Sequence, residues 1–279
     1  MILYNTKTGP IIEQDGVFYD YPSVDFDHLL LEEELFKKLR LALPKLKKNI
    51  HFSLEENPLL LPPIGSQEVW AAGVTYFKSR TARMEESAAS GGSDFYDRVY
   101  EADRPELFFK SNAYRVCGHE QNVRIRKDSK WSVPEPELTL VLHPSQKILG
   151  YTIGNDMSSR SIEGENPLYL PQAKNYNGAT ALGPGILLTD QPIPNETSIS
   201  IDIKRKGNIV FEGTTTKANL KRSFEDLIKY LFLELDFPQG CFLMTGTGIV
   251  PEAGFTLEEN DIISISIEGI GTLKNTVQS

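Results

Sequence analysis

Cysteine is scarce in this sequence, since only Cys117 and Cys241 occur among 279 residues and they form no C-x-x-C motif. They provide no disulfide framework, which favours a reduced, cytoplasmic setting. No apolar run approaches the ~20 residues that a membrane helix needs, so we predict no membrane partner. Residues 1–7 lack a basic stretch followed by an apolar core, and we therefore expect no signal peptide.

Excess positive charge is also missing, because the net charge is −9 at pH 7. This argues against non-specific nucleic-acid binding, and we expect no nucleic-acid partner. Residues 243–249 predict a strand that ends in a glycine-flanked loop, but they lack the G-x-x-x-x-G-K-[ST] spacing of a P-loop. With 40% hydrophobic and 24% charged residues, the composition is that of an ordinary globular protein.

The chain is long enough for one large domain with an appendage, or for two domains. Residues 1–5 and 16–21 predict short strands, and leucines at every fourth position predict a helix over residues 27–43. The proline- and glycine-containing residues 61–65 are typical of a linker. We therefore expect a small α+β domain over residues 1–64 and a larger domain over residues 65–279.

The larger domain is predicted to consist mostly of sheet. The expected elements are strands at residues 69–74, 105–110 and 260–270, a hairpin at residues 199–214, and a helix capped by Ser223 that runs through Leu235. Residues 76–104 predict a helix, a Gly/Ser-rich break and a second helix. This excursion is either a lid over a site or an ordinary surface segment, and both interpretations stay open.

Three acidic residues lie on a predicted hairpin in the middle of the chain. Residues 133–142 and 148–156 contain apolar, β-branched runs, and a polar, proline-containing break separates them. Glu135 and Glu137 are two residues apart, so they share one face of a strand. With the turn centred in the break, Asp156 pairs with Glu135 and Gly154 pairs with Glu137. The three carboxylates then meet on one face, where Gly154 adds no side chain.

Three adjacent carboxylates repel each other unless a positive charge compensates them. Ligand sets made only of oxygen favour Mg²⁺, Mn²⁺ or Ca²⁺ over zinc. We therefore predict that Glu135, Glu137 and Asp156 hold a divalent cation, with Mg²⁺ as the first choice. The alternative is a solvated strand face on which the acids never meet, and a register slip of one residue would produce it.

Four further residues are candidates for proton transfer or substrate binding. Glu106 stands beside aromatic residues on a predicted strand, where a carboxylate can have a raised pKa and serve as a general acid or base. Lys174 is the first lysine after the acidic cluster and could hold a substrate carboxylate or act as a base. Arg83 in the 76–104 excursion and Thr247 in the glycine-flanked loop could contact an anion. The ordinary alternatives are an edge-strand charge, a solvated loop lysine and a surface ion pair.

Taken together, these motifs resemble the fumarylacetoacetate hydrolase superfamily over about residues 65–275. The resemblance implies a β-rich mixed roll of sheets of the α+β class, with a divalent metal on the three acids. It also implies that Lys174 and Thr247 lie near the substrate. The matching motifs are Glu135-Pro136-Glu137, Gly154-Asn155-Asp156, Ser158-Ser159-Arg160, Lys174, Gly183-Pro184 and Thr245-Gly246-Thr247.

One position departs from the pattern of the family's hydrolases. Those enzymes usually carry a Gly-x-Asn-Tyr-x-x-His segment whose histidine activates the attacking water. The corresponding segment here runs from Gly73 to Ser79, and Ser79 stands where that histidine would be. A serine has no charge to lose near neutral pH and cannot serve as the usual base, which puts carbon–carbon bond hydrolysis in doubt.

Residues 159–174 and 105–110 resemble a branch of the family that dehydrates 2-keto-3-deoxy sugar acids. That resemblance implies a metal-dependent hydro-lyase acting on a small sugar acid, with 2,5-dioxopentanoate as product and Glu106 as the replacement catalytic group. The alternatives are a C–C hydrolase, decarboxylase or isomerase acting on another 2-oxo acid, or a metal- and oxo-acid-binding protein without activity. Homo-oligomers are common in families like this one, so we expect one here.

Overall fold

The structure is a computed structural model that describes residues 1–22, 24–55, 57, 59–79, 81, 84 and 98–279. Arg83 and much of the 76–104 excursion lie outside the described residues, so the lid and the role of Arg83 stay predictions. Among the helices within the described ranges, none is long and apolar enough to cross a membrane.

Strands dominate the described residues, and helices are short. The strands are β1 Ile2–Thr6, β2 Ile11–Gln14, β3 Val17–Asp20, β4 Lys47–Lys48, β5 Leu60–Leu61, β6 Glu68–Gly73, β7 Glu106–Asn112, β8 Val116–Cys117, β9 Asn122–Arg124, β10 Ser132–Val133, β11 Pro136–Leu142, β12 Ile148–Asp156, β13 Ser158–Ser159, β14 Thr180–Leu188, β15 Ser198–Arg205, β16 Asn208–Thr216, β17 Cys241–Met244, β18 Ile262–Ile267 and β19 Gly271–Gln278. The α-helices with defined bounds are α1 Phe26–Leu30, α2 Leu35–Ala42, α3 Arg160–Glu165, α4 Leu170–Lys174 and α5 Phe224–Leu231.

Most strands belong to two sheets. In the described part of the chain, a 12-stranded sheet has the order β4-β3-β2-β1-β14-β12-β11-β17-β6-β7, with β5 added to β1 and β8 added to β14. It is mixed, because β6 runs parallel to β17 and β8 runs parallel to β14. A second, five-stranded sheet has the order β16-β15-β18-β19-β9. The predicted β-rich α+β fold is confirmed.

The main core lies between the two sheets and α5. Leu140 and Ile153 from the large sheet pack in one cluster with Ile201 and Ile265 from the small sheet and Leu227 from α5. Strands β15 and β18 alternate between buried and half-exposed positions, as expected for a sheet with one covered face. Strands β11 and β12 are buried at nearly every position, because a second apolar cluster with α1 and α2 covers part of the large sheet.

The N-terminal strands continue the large sheet, because β1 pairs with β14 through Ile2–Leu187 and Leu3–Ile186. The prediction of one helix over residues 27–43 was wrong, since α1 ends at Leu30 and α2 begins at Leu35. The domain boundary at residue 64 stays a prediction.

The central hairpin of β11 and β12 has the register expected from the sequence. Main-chain hydrogen bonds join Glu135 and Asp156 in both directions, with N–O distances of 3.2 and 3.0 Å. Glu137 pairs with Gly154, as predicted, and the register shifts only after Val141. Because alternate residues of a strand share a face, this register brings the three carboxylates together.

In the last third of the chain, the predicted hairpin is confirmed and the predicted helix is confirmed in part. The hairpin of β15 and β16 turns at Lys206 and Gly207, whose φ values of 52° and 83° suit a two-residue type I′ turn. Ser223 caps α5 by accepting a hydrogen bond of 3.1 Å from the Asp226 N–H. The helix ends at Leu231, however, and does not extend to Leu235.

Candidate active site

A cluster of three buried carboxylates stands at the end of the central hairpin. Glu135, Glu137 and Asp156 are all buried, and one oxygen of each lies within 4.8 Å of the others. The role of Gly154 differs from the expected one, which was to leave room for the three carboxylates. A Cβ at Gly154 would lie 2.4 Å from Thr139 Oγ1 and 2.9 Å from Met244 Cε, so the glycine relieves packing within the sheet and not crowding of the acids.

Two cationic side chains contact the two carboxylate oxygens of Glu135. Arg160 Nη2 donates to Oε1 at 2.6 Å, and Lys174 Nζ donates to Oε2 at 2.7 Å. Lys174 also donates to Asp156 Oδ2 at 3.0 Å and to Ser158 Oγ at 2.5 Å. Lys174 is fully buried, and two carboxylates and a hydroxyl accept its hydrogen bonds. The structure thus brings Lys174 into contact with the acidic cluster, and its role stays a prediction.

Asp156 has a further cationic neighbour that the sequence did not indicate. Lys110 Nζ lies 2.5 Å from Asp156 Oδ1, and both side chains are almost completely buried. Lys110 lies on β7, 46 positions before Asp156 in the chain. No local pattern links such distant residues, so sequence reasoning missed this contact.

The third acid, Glu137, is held by the main chain. The Gly246 N–H donates to Glu137 Oε2 at 2.6 Å, and the left-handed Gly246 backbone has a φ of 94°. Burial raises the pKa of Glu137 well above its ordinary value, and the negative charges of Asp156 and Glu135 raise it further. Lys174 and the Gly246 N–H act in the opposite direction. A cation bound by the three acids would remove much of the repulsion.

Glu106 lies next to Gly73, which lines a small cleft formed at the three acids. It pairs with Gly73 across β6 and β7, and a Cβ added to Gly73 would lie 2.0 Å from Glu106 Oε2. Gly73 itself lines the cleft together with Phe108 and the three acids. The absence of a side chain at Gly73 therefore lets the Glu106 carboxylate lie over the strand beside the cleft.

Phe108 forms an apolar wall two residues further along β7. Its ring centroid lies 5.8 Å from Lys174 Nζ, within the range of a cation–π contact. Thr247 also lines the cleft. Its hydroxyl donates to the Ile249 carbonyl at 3.1 Å and accepts from the Ile249 N–H at 3.2 Å, which fixes the loop after β17.

Ser79 lines the cleft as well, but its hydroxyl is engaged locally. Ser79 Oγ donates to the Tyr76 carbonyl at 2.7 Å and accepts from the Tyr76 N–H at 3.2 Å. Serine at this position therefore stabilises a turn.

Arg160 and Glu163 are site residues to which sequence reasoning gave no role. Both lie on α3, which begins four residues after Asp156, and Arg160 Nε is 3.9 Å from Glu163 Oε2. Glu163 Oε1 is 4.0 Å from Lys174 Nζ. Arg160 and Glu163 are three residues apart and follow Asp156 closely, and residues at that spacing share one face of a helix. This spacing was the signal available in the sequence.

The acidic cluster fits a hard divalent cation. Its ligand atoms are all carboxylate oxygens that lie within 4.8 Å of one another, and opposite ligands of a hard cation with bonds of ~2.1–2.6 Å are ~4.2–5.2 Å apart. Lys110, Lys174 and Arg160 pair with Asp156 and Glu135, yet burial and the charges of these two acids still raise the pKa of Glu137, so a bound divalent cation would stabilise its ionised form.

Comparison with known proteins places the chain in a family. The family model described as "Fumarylacetoacetate (FAA) hydrolase C-terminal" matches residues 81–278, and the chain belongs to the fumarylacetoacetate hydrolase family. It is 46% identical over 216 residues to the probable 2-keto-3-deoxyxylonate dehydratase of Haloferax volcanii, which covers 77% of this chain and 73% of that protein. It is 44% identical over 219 residues to the 2-dehydro-3-deoxy-D-arabinonate dehydratase of Saccharolobus solfataricus, with the same coverage.

A solved structure agrees over nearly the whole chain. The 2-keto-3-deoxy-D-arabinonate dehydratase complexed with magnesium and 2,5-dioxopentanoate is 33% identical, with a TM-score of 0.82 over 99% of this chain and 98% of that one. The resemblance expected from the sequence is therefore confirmed, both in the family and in the type of related enzyme.

Proposed function

We propose that this protein is a metal-dependent hydro-lyase that converts 2-keto-3-deoxy-D-arabinonate, or a close sugar acid, to 2,5-dioxopentanoate and water. The observation that carries the proposal is the buried Glu135–Glu137–Asp156 cluster in contact with Lys174, with Glu106 over Gly73, which lines the same cleft. The 44–46% identity to two sugar-acid dehydratases supports this choice of reaction.

In this proposal Glu135, Glu137 and Asp156 hold a divalent cation, with Mg²⁺ preferred over Mn²⁺ or Ca²⁺. The bound cation supplies Lewis-acid stabilisation of the negative charge that develops on the 2-oxo group when a C3 proton leaves. Mg²⁺ in the complex of the related dehydratase supports the choice of metal.

Glu106 is assigned to proton transfer. The reaction removes a proton from C3 and releases the C4 hydroxyl as water after that hydroxyl gains a proton. Further shifts of one proton from C5 and one from the C5 hydroxyl, onto C3 and C4, convert the unsaturated 2-oxo acid into the product aldehyde. A positioned acid–base group contributes typically ~10²–10⁴-fold to such steps. The Glu106 carboxylate lies over Gly73, beside the cleft, and this position supports its role in proton transfer.

Lys174 is either the C3 base or the group that holds the substrate carboxylate. Its hydrogen bonds to Glu135, Asp156 and Ser158 use all three donors of an ammonium, so a substrate carboxylate would have to replace one of these acceptors. Thr247 at the cleft wall, and Arg83, are proposed as further substrate contacts. Ser79 supports dehydration over C–C hydrolysis, because its hydroxyl binds the Tyr76 main chain and no histidine stands there.

We extend the proposal to the setting of the enzyme. Cys117 and Cys241 are free thiols, which suits a reducing cytoplasm and a role in pentose catabolism. The homo-oligomer expected from the family resemblance remains part of the proposal.

The test is an assay of EDTA-stripped protein with 2-keto-3-deoxy-D-arabinonate, with and without Mg²⁺, following 2,5-dioxopentanoate. We expect metal-dependent product from the wild type, and from Glu106→Gln we expect unchanged Mg²⁺ affinity with most turnover lost. Tight Mg²⁺ binding without product would reject the dehydratase and direct the search to other 2-oxo acids. Full turnover by Glu106→Gln would remove Glu106 from the mechanism.

A further inference from the structure

Lys110 occupies an irregular position in β7. In the pairing of β6 with β7, Val69 is opposite Ser111 and Trp70 is opposite Phe109, so Lys110 is the extra residue at the shift in register. Such bulges bend a strand and redirect a side chain, and they are often found beside active sites. The redirected Lys110 side chain is 1% exposed, so it is aimed into the protein.

The buried Lys110 side chain makes one ion pair and two hydrogen bonds. Its Nζ lies 2.5 Å from Asp156 Oδ1, and it donates to the Met157 carbonyl at 3.1 Å and to the Lys174 carbonyl at 2.7 Å. Asp156 and Met157 lie at the end of β12 and directly after it, and Lys174 ends α4, so Lys110 joins β7 to two separate parts of the site.

The contact with the Lys174 carbonyl fixes the position of a second site residue. Lys174 is the last residue of α4, and the last carbonyls of a helix have no partner within that helix. Lys110 satisfies this carbonyl, while the Lys174 side chain reaches Asp156 Oδ2. Asp156 is thus held through both oxygens, once by Lys110 directly and once by a lysine whose main chain Lys110 fixes.

We propose that Lys110 is a positioning residue of the metal centre. It orients Asp156 for the cation and holds Lys174 at the cleft, without contacting the substrate. This inference rests on the proposed metal site. Partners that orient metal ligands typically contribute ~10–100-fold to metal affinity or activity, and Lys110 meets that description through a direct carboxylate contact.

Two simpler roles predict different results. If Lys110 only supplied positive charge to offset the acids, its removal would make the site more negative and tighten Mg²⁺ binding. If it only stabilised the fold, its removal would lower the melting temperature but leave the Mg²⁺ affinity of the folded protein unchanged.

The experiment is calorimetric titration of EDTA-stripped Lys110→Met with Mg²⁺, beside the wild type and Ser111→Ala. Ser111 is the matched control, because it is buried at the same bulge and its hydroxyl donates to the neighbouring Asn112 carbonyl at 2.9 Å, outside the acidic cluster. We expect Mg²⁺ affinity to fall by ~10–100-fold in Lys110→Met and to stay within a factor of about two in Ser111→Ala. We also expect kcat at saturating Mg²⁺ to fall in Lys110→Met, since Lys174 loses its anchor.

Wild-type or tighter Mg²⁺ affinity in folded Lys110→Met would overturn the inference. If that variant does not fold, Lys110→Gln replaces it, because an amide can still donate to the two main-chain carbonyls but carries no charge for Asp156. We expect the Mg²⁺ affinity of Lys110→Gln to be lower than that of the wild type, by less than the ~10–100-fold expected for Lys110→Met. An unchanged Mg²⁺ affinity would overturn the inference equally. Failure of the wild type to bind Mg²⁺ would instead reject the proposed metal site.

Discussion

Replacing Gly73 by alanine is expected to displace the Glu106 carboxylate while sparing the metal cluster. The new Cβ would lie 2.0 Å from Glu106 Oε2 and 2.5 Å from its Cδ, whereas ordinary contacts begin at 3.4 Å. The carboxylate therefore has to withdraw by more than ~1 Å, and a misplacement of that size in a catalytic group can cost ~10²-fold in rate.

The same substitution is expected to have little effect on stability. Glu106 can move at the end of its flexible side chain, and alanine reduces the backbone freedom of the unfolded chain relative to glycine. We expect the free energy of unfolding to change by no more than about 1 kcal/mol. The loss should therefore appear in kcat, with the Mg²⁺ affinity unchanged.

A double-mutant cycle separates displacement of Glu106 from direct obstruction of the cleft. The formation rate of 2,5-dioxopentanoate is measured for Gly73→Ala, Glu106→Gln and the double variant, with melting temperature and Mg²⁺ affinity as controls. If alanine acts through Glu106, it causes no further loss once Glu106→Gln is present. Full activity of folded Gly73→Ala, or losses that multiply in the double variant, would refute the reasoning.

Three further predictions concern the metal, acid stability and a buried ion pair. Mg²⁺ at 100 times its dissociation constant should stabilise the wild type by ~2.7 kcal/mol in thermal or urea unfolding, and Glu137→Gln should show almost none of this gain. Burial lowers the pKa of His119, whose Nδ1 accepts from the Lys274 N–H at 3.2 Å, so the unfolded chain binds the proton more readily. Stability should fall as the pH drops below ~6.5, and His119→Gln should reduce this fall in urea unfolding at pH 5 compared with pH 7. Arg160→Met removes one cation from buried Glu135 and should cost about 3 kcal/mol in EDTA, with part of the loss restored by Mg²⁺; equal stability of variant and wild type would contradict this.

The sequence allowed the metal cluster to be predicted because its geometry is local. One short turn sets the pairing of β11 with β12, and the two-residue period of a strand then places Glu135, Glu137 and Asp156 together. Lys110 could not be predicted in the same way. It comes from another strand and reaches the cluster through a bulge, and neither feature leaves a periodic pattern.

The broken N-terminal helix shows how periodicity can mislead. Leucines recur every fourth residue over residues 31–43, but the buried residues of α1 are Phe26, Leu29 and Leu30. A continuous helix in phase with those residues would turn Glu33 and Lys37 toward the core. The break resets the phase, so that Leu35 and Leu39 of α2 become buried and the charged residues stay outside.

The charges around the cleft determine how the binding of metal and the binding of substrate affect each other. Lys110, Lys174 and Arg160 lie within 4.0 Å of Glu135, Asp156 or Glu163, and Glu137 and Glu106 complete the acids around the site. With these five acids and three cations all ionised, the site carries two excess negative charges, which repel an anionic sugar acid. A divalent ion brings the total to zero and removes that repulsion. Metal and substrate should therefore each increase the affinity of the other by the same factor, as thermodynamic linkage requires.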